Sequence, residues 1–141
     1  MRRTVLAAAG LALVSMGRAM AQERIQIVSP WGEVTATLAD NAAARAFARR
    51  LPMTIQMRDH LRQEKTGILS WPLPQAQRQV DFKPGTLGLW GSDEVVIYYR
   101  GGRVPQPGIV VLGKVAGDVS IFDRPGPVLV QVRQAQASTA K

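Results

Sequence analysis

From residue 24 onward the chain is a succession of short runs of alternating apolar and polar side chains, broken every few residues by glycine or proline. That punctuation limits the folds open to it more than any other feature, because a period of two over five to eight residues belongs to strands half-buried on a sheet. Residues 24–28 (RIQIV) and 33–38 (EVTATL) flank the turn Ser29-Pro30-Trp31-Gly32 and predict a hairpin. Residues 53–59 (MTIQMRD) alternate again. Residues 86–90 (TLGLW) and 94–100 (EVVIYYR), rich in β-branched and aromatic side chains, predict a second hairpin around Gly91-Ser92-Asp93. Two further strands are expected at 109–115 (IVVLGKV) and 128–133 (VLVQVR). A single stretch has helical spacing: Ala43, Ala44, Phe47, Ala48 and Leu51 share one face, Asp40 is the expected N-cap, and Pro52 ends the run. Arg45, Arg49 and Arg50 fall off that face, where the last two oppose the negative end of the helix dipole. Residues 60–79 fit neither period. Charges in HLRQEK are followed by GILSWPLPQAQ, and Pro72 and Pro74 speak against a central strand, so a loop with an extended piece is expected. Seven or eight short strands with one early helix predict a mainly β protein, a small β-barrel with one or two short helices.

With 141 residues, 46% of them hydrophobic, there is material for one ordinary domain. The absence of cysteine excludes disulfides, thiolate zinc sites and a cysteine nucleophile, so stability rests on packing. Residues 1–21 have the form of a secretory signal: Arg2 and Arg3, an apolar run at 5–14 too short to span a membrane permanently, and Ala19-Met20-Ala21 as a cleavage site. Cleavage after Ala21 would leave 120 residues, a domain at 22–133 followed by a polar tail at 134–141 (QAQASTAK) expected to be disordered. Loss of Arg2, Arg3 and Arg18 lowers the formal charge from +8 to +5. A periplasmic or secreted location is therefore expected, without integral membrane association after cleavage. The basic residues are not gathered with aromatics between them, which speaks against nucleic-acid binding.

Few side chains suggest chemistry. His60, the one histidine, follows Asp59 and precedes Glu64 by four residues, a grouping suited to acid–base work or to two metal ligands. One histidine without cysteine rarely builds a metal site, and a charged, solvated loop is the favoured reading. Asp93 and Glu94 are adjacent and should point apart, against a paired-carboxylate catalyst. Gly85, Gly88 and Gly91 match neither the dinucleotide fingerprint nor a phosphate loop, and are assigned to turns and barrel curvature. No metal and no cofactor is expected. The aromatics say more: Trp71 lies in a proline-flanked loop, Trp90 ends a strand, and Tyr98 and Tyr99 are neighbours on a strand, so one faces inward and the other outward.

Arg50-Leu51-Pro52, Trp71-Pro72-Leu73-Pro74, the run KPGTLGLWG with EVVIYY at 83–99, and LGKV at 112–115, taken in that order, resemble the bacterial cyclophilin-like domain family. The resemblance implies a cyclophilin-like barrel with a groove on its wall bordered by Trp71, Leu73, Trp90 and Tyr98. Active cyclophilins carry an arginine in an F-H-R type strand and then a GGD segment, and the stretch from Met57 to Gln79 contains neither. What the resemblance implies is thus a domain that binds a small or peptide-like ligand. The alternative is an extracytoplasmic peptidyl-prolyl isomerase, for which Arg58 is the one arginine on a predicted strand near the loop.

Overall fold

The structure, a computed structural model, describes residues 23–136, so the expected leader at 1–21 lies outside the described residues. The first hairpin forms as expected from β1 (Arg24–Ser29) and β2 (Gly32–Leu38), and the helix α1 (Ala42–Arg49) follows. Next come β3 (Met53–His60), β4 (Glu64–Ile68) and two short pieces, β5 (Arg78–Gln79) and β6 (Asp81–Phe82). The second hairpin is β7 (Thr86–Trp90) with β8 (Glu94–Tyr98). The chain ends with β9 (Gly102–Arg103), β10 (Ile109–Ala116), a 3-10 turn Val119–Phe122 and β11 (Val128–Gln134). Eight strands pair antiparallel in the order β2-β1-β11-β3-β4-β8-β7-β10, and β10 returns to β2, closing the barrel. Closure leaves none of these eight strands with an open edge.

Alternation sorts the side chains. Ile25, Ile27, Ile55, Met57, Leu87, Val95, Ile97, Val130 and Val132 point inward, and with Phe47 of α1 they fill the interior down to a void of about 10 Å³. The helix closes against the barrel through Ala43, Ala44, Phe47 and Ala48, all buried, where the small alanines let the backbone approach and the phenyl ring fills the remaining space. Its N-cap is Asn41, not Asp40. The Asn41 side chain accepts from the Ala44 N–H at 2.8 Å and donates to the Val111 carbonyl at 2.8 Å, fixing the helix to β10; an aspartate could do only the first. Asp40 instead pairs with Arg45 in solvent, and Leu51 lies half-buried beyond the last turn.

Two further expectations are corrected. Residues 64–68, expected in a loop, form β4 in the middle of the barrel wall, where Lys65 and Thr66 are buried against side-chain partners from other segments and the strand needs no apolar alternation. Gly67 faces inward there, and a Cβ on it would stand 2.6 Å from Ile55 and 2.7 Å from the Gln56 carbonyl oxygen, so the strand fits only because the side chain is missing. Gln134, expected in the tail, is the last residue of β11 and pairs with Ile25. Residues 137–141 of the expected tail lie outside the described residues.

A second, smaller apolar cluster sits outside the barrel, where the segment carrying β5, β6 and β9 folds back over β8. Phe82, Val104 and Ile109 bury Val96 and Tyr98 there, with the Phe82 and Tyr98 rings stacked at 3.8 Å between centroids.

Candidate functional site: the outer wall of the barrel

The interior is filled, so a ligand of any size must be held outside it. Registers of β3, β4, β8 and β7 set out three parallel rows of side chains on the outer wall. Arg58 pairs with Thr66, Thr66 with Val96 and Val96 with Gly88. On one side of that row His60 pairs with Glu64 and Glu64 with Tyr98; on the other Ile68 pairs with Glu94 and Glu94 with Trp90. Arg58, Trp90 and Tyr98, expected at the site, therefore project from one face. The structure divides that face. Glu64, Thr66 and Tyr98 are buried, Trp90 and Glu94 are half-buried, and Arg58 and Ile68 are exposed.

Trp90 and Tyr98 are joined directly, the indole Nε1–H donating to the Tyr98 hydroxyl oxygen at 3.2 Å. Gly88 makes room for this: a Cβ there would lie 3.5 Å from the Tyr98 ring and 3.0 Å from Ile109. Burial, and after it the charge on Glu64, pushes the Tyr98 hydroxyl well above the ordinary tyrosine range, so it stays protonated. Thr66 Oγ1 donates to Glu94 Oε2 at 2.5 Å.

Glu64 is the unusual member. Its Oε1 faces His60 Nδ1 at 2.9 Å and accepts from Gln63 Nε2 at 3.1 Å, while its Oε2 is buried with no hydrogen-bond partner. A buried polar atom left this way costs about 1–3 kcal/mol, more when charged. His60 is accordingly not part of a solvated loop. It ends β3, and its ring is held by a buried carboxylate, which selects a tautomer with the proton on Nδ1 whenever the imidazole is neutral. Among the described residues no group of three or more His, Cys, Asp or Glu could hold a metal ion.

Trp71 and Leu73 pack elsewhere, against the main core at one end of the barrel: Leu73 is buried, and the Arg50 guanidinium lies 4.3 Å above the Trp71 ring. Their loop meets the β7–β8 hairpin at its turn, where the Leu69 and Leu73 N–H groups donate to the carbonyls of Asp93 and Ser92, both at 2.7 Å. Arg58 has no carboxylate within 4.0 Å and no hydrogen-bond partner among the described residues, and nothing fixes its direction.

At the barrel mouth near the β3–β4 turn lies a different polar cluster. Lys65, beside Glu64 but facing inward, is fully buried and donates to Asp59 Oδ1 at 2.9 Å, to the Gly126 carbonyl at 3.2 Å and to the Arg124 carbonyl. The Tyr99 hydroxyl donates to the same Asp59 oxygen at 2.6 Å. Burial alone would raise the Asp59 carboxyl, but the bonds from Tyr99 and Lys65 outweigh it and hold it below its ordinary value. Tyr98 thus faces outward and Tyr99 inward, as their adjacency required. Glu64, Thr66 and Glu94 were not among the residues expected at the site. The signal for the first two is their spacing of two on one strand, which sequence reading lost by placing them in a loop.

A closed antiparallel barrel of eight strands with a filled interior and one capping helix defines a small, mainly β domain. The profile of the cyclophilin-like family matches residues 27–133, and the chain belongs to that family. Among solved structures, the solution structure of the hypothetical protein AF2241 from Archaeoglobus fulgidus is similar with a TM-score of 0.64 and 16% identity, covering 85% of this chain and all of that one, a likeness of fold. No curated protein matches the chain.

Proposed function

We propose that this chain is an exported cyclophilin-like binding domain that holds a small or peptide-like ligand on the outer wall around Trp90 and Tyr98, with Arg58 at its open side and the Trp71–Leu73 loop at its border. The observation that carries this reading is the contrast between an interior void of about 10 Å³ and an outer wall on which a half-buried indole, fixed by its bond to Tyr98, shares one face with exposed Ile68 and Arg58. Export rests on the order of Arg2-Arg3, the apolar run and Ala19-Met20-Ala21.

The isomerase alternative requires a fixed cation beside an apolar pocket, since rotation about X-Pro faces a barrier of about 18–20 kcal/mol that falls only when the transition state is bound preferentially. Arg58 is exposed and without a partner, which favours binding over turnover. Isomerisation of an X-Pro peptide is expected to proceed at the uncatalysed rate with the purified protein. Rapid turnover abolished by Arg58→Ala would instead make the chain an isomerase.

A further inference from the structure

Of the three lysines among the described residues, Lys65 is buried and spent on Asp59 and two carbonyls. Lys83 and Lys114 are exposed, and neither has a carboxylate within 4.0 Å among the described residues. The fold brings these two together. Thr86 stands opposite Lys114 across the β7–β10 pair. Lys83 is held against Thr86 by a tight turn, in which the Thr86 N–H donates to the Lys83 carbonyl at 2.9 Å and the Lys83 N–H donates to Thr86 Oγ1 at 3.0 Å. The Val115 N–H ties that turn to β10 by donating to the Gly85 carbonyl at 2.7 Å. Because the Thr86 hydroxyl accepts the Lys83 N–H, its own proton is left for an acceptor beside the two lysines.

Two open clefts meet at Lys114. The smaller, about 260 Å³, lies between β10 and the segment 79–84 and is lined by both lysines, Thr86, Gln79 and Asp81. The larger, about 480 Å³, runs along β2 and β10 over Thr37, Ala39, Val111 and Ala116. Val111, Gly113 and Lys114 border both, and the register shift between Val111 and Gly113 bends β10 where they join. Small-molecule sites commonly enclose about 300–1,000 Å³. We propose that the two clefts form one binding site for a small organic monocarboxylate, whose carboxylate group sits between Lys114 and Lys83 and accepts a hydrogen bond from Thr86, and whose apolar body lies over Ala39, Val111 and Ala116. The site shares no residue with the one around Trp90 and Tyr98 and does not depend on it. Asp81 is the one carboxylate lining either cleft and is paired at 3.0 Å with Arg103, so the two lysines leave a positive excess that repels a cation. Two compact ammonium groups match the two oxygens of a carboxylate. A neutral ligand would leave both lysines unpaired, and an inorganic anion would leave the larger cleft unused.

The test follows the backbone amide resonances of Lys114, Thr86 and Ala39 while hexanoate, hexanol or inorganic phosphate is added at neutral pH and constant ionic strength. Hexanoate is expected to move all three resonances saturably and to bind about tenfold more tightly than either other probe. Lys114→Met should weaken hexanoate by about tenfold, and Lys83→Met by about threefold, while hexanol binding stays as it was. Both positions are exposed, so the variants should keep the parent's near-ultraviolet circular dichroism. Arg49→Gln removes an equal charge from the exposed end of α1 and should leave hexanoate affinity unchanged. Equal affinity for hexanoate and hexanol, or a Lys114→Met variant that binds hexanoate like the parent, overturns the role of the lysines and with it the proposal. Phosphate binding as tightly as hexanoate overturns the assignment of an apolar body to the larger cleft. Resonances unmoved by hexanoate at millimolar concentration overturn the site altogether.

Discussion

Glu64 and Lys65 are neighbours on β4, both charged and both buried, yet the barrel treats them in opposite ways. Lys65 faces the interior, and every donor of its ammonium is used: one on Asp59 and two on carbonyls of the segment that closes the barrel mouth. Trp31 stands 5.3 Å away on the same cation. Glu64 faces outward and keeps one oxygen idle. A saturated buried charge is a fixture of the fold, since it returns the cost of desolvation only while each partner stays in place. An unsaturated one is held at a cost that the rest of the barrel covers.

The contrast can be broken most directly at Lys65. Lys65→Met should cost about 3–5 kcal/mol in urea unfolding, because the Asp59 carboxylate and two carbonyls would be left buried without their donor. A loss under about 1 kcal/mol would show that the cluster is no fixture.

The next effect is on acid stability. The folded-state pKa of Asp59 lies below its unfolded value of about 3.9, so its contribution to stability is present above about pH 4 and is lost as pH falls through the depressed folded-state value. Asp59→Asn should flatten that acid limb when stability is followed by circular dichroism from neutral pH downward. An acid limb as steep as the parent's would assign acid sensitivity to another carboxylate.

The smallest effect is expected at Glu64, where Glu64→Gln should change stability by less than about 1 kcal/mol, since losing a charge-assisted bond to His60 is offset by removing an orphaned buried charge. Urea midpoints measured side by side with Lys65→Met sharpen the comparison, and equal losses at the two positions would erase it.

The same two residues mark where sequence reading stops. The strands built on apolar alternation, such as RIQIV, EVTATL, MTIQMRD and VLVQVR, were legible because each buries one face and leaves the other more open. β4 was not. Its residues Glu64, Lys65, Thr66 and Gly67 are all buried and carry no apolar side chain, since both of their faces are enclosed, one by the barrel interior and one by neighbouring side chains and the returning segment. What makes that burial tolerable, Asp59, Tyr99 and Glu94, comes from other strands and has no trace in local spacing. The helix was read correctly on its buried face and wrongly at its cap, because choosing between Asp40 and Asn41 depends on a carbonyl 70 residues further along the chain. At the site, the Trp90–Tyr98 pair follows from two strands of one hairpin and was within reach. Trp71 and Leu73 were recognised as a prolyl-flanked element, but their packing against the main core follows from where the loop docks on the barrel end.

The order of the barrel strands bears on when this chain can fold. β11, the last strand among the described residues, is inserted between β1, the first, and β3, pairing with β3 from Val128 to Val132 and with β1 from Gln131 to Gln134. Until it arrives, two strands made early face each other across a missing member, and the sheet has two raw edges in place of none. A chain that appears from its N-terminus onward, whether from a ribosome or through a membrane pore, therefore acquires its central pairings last and closes in one late, long-range step. Such an arrangement keeps the wall of the barrel open until its eleventh strand has been made.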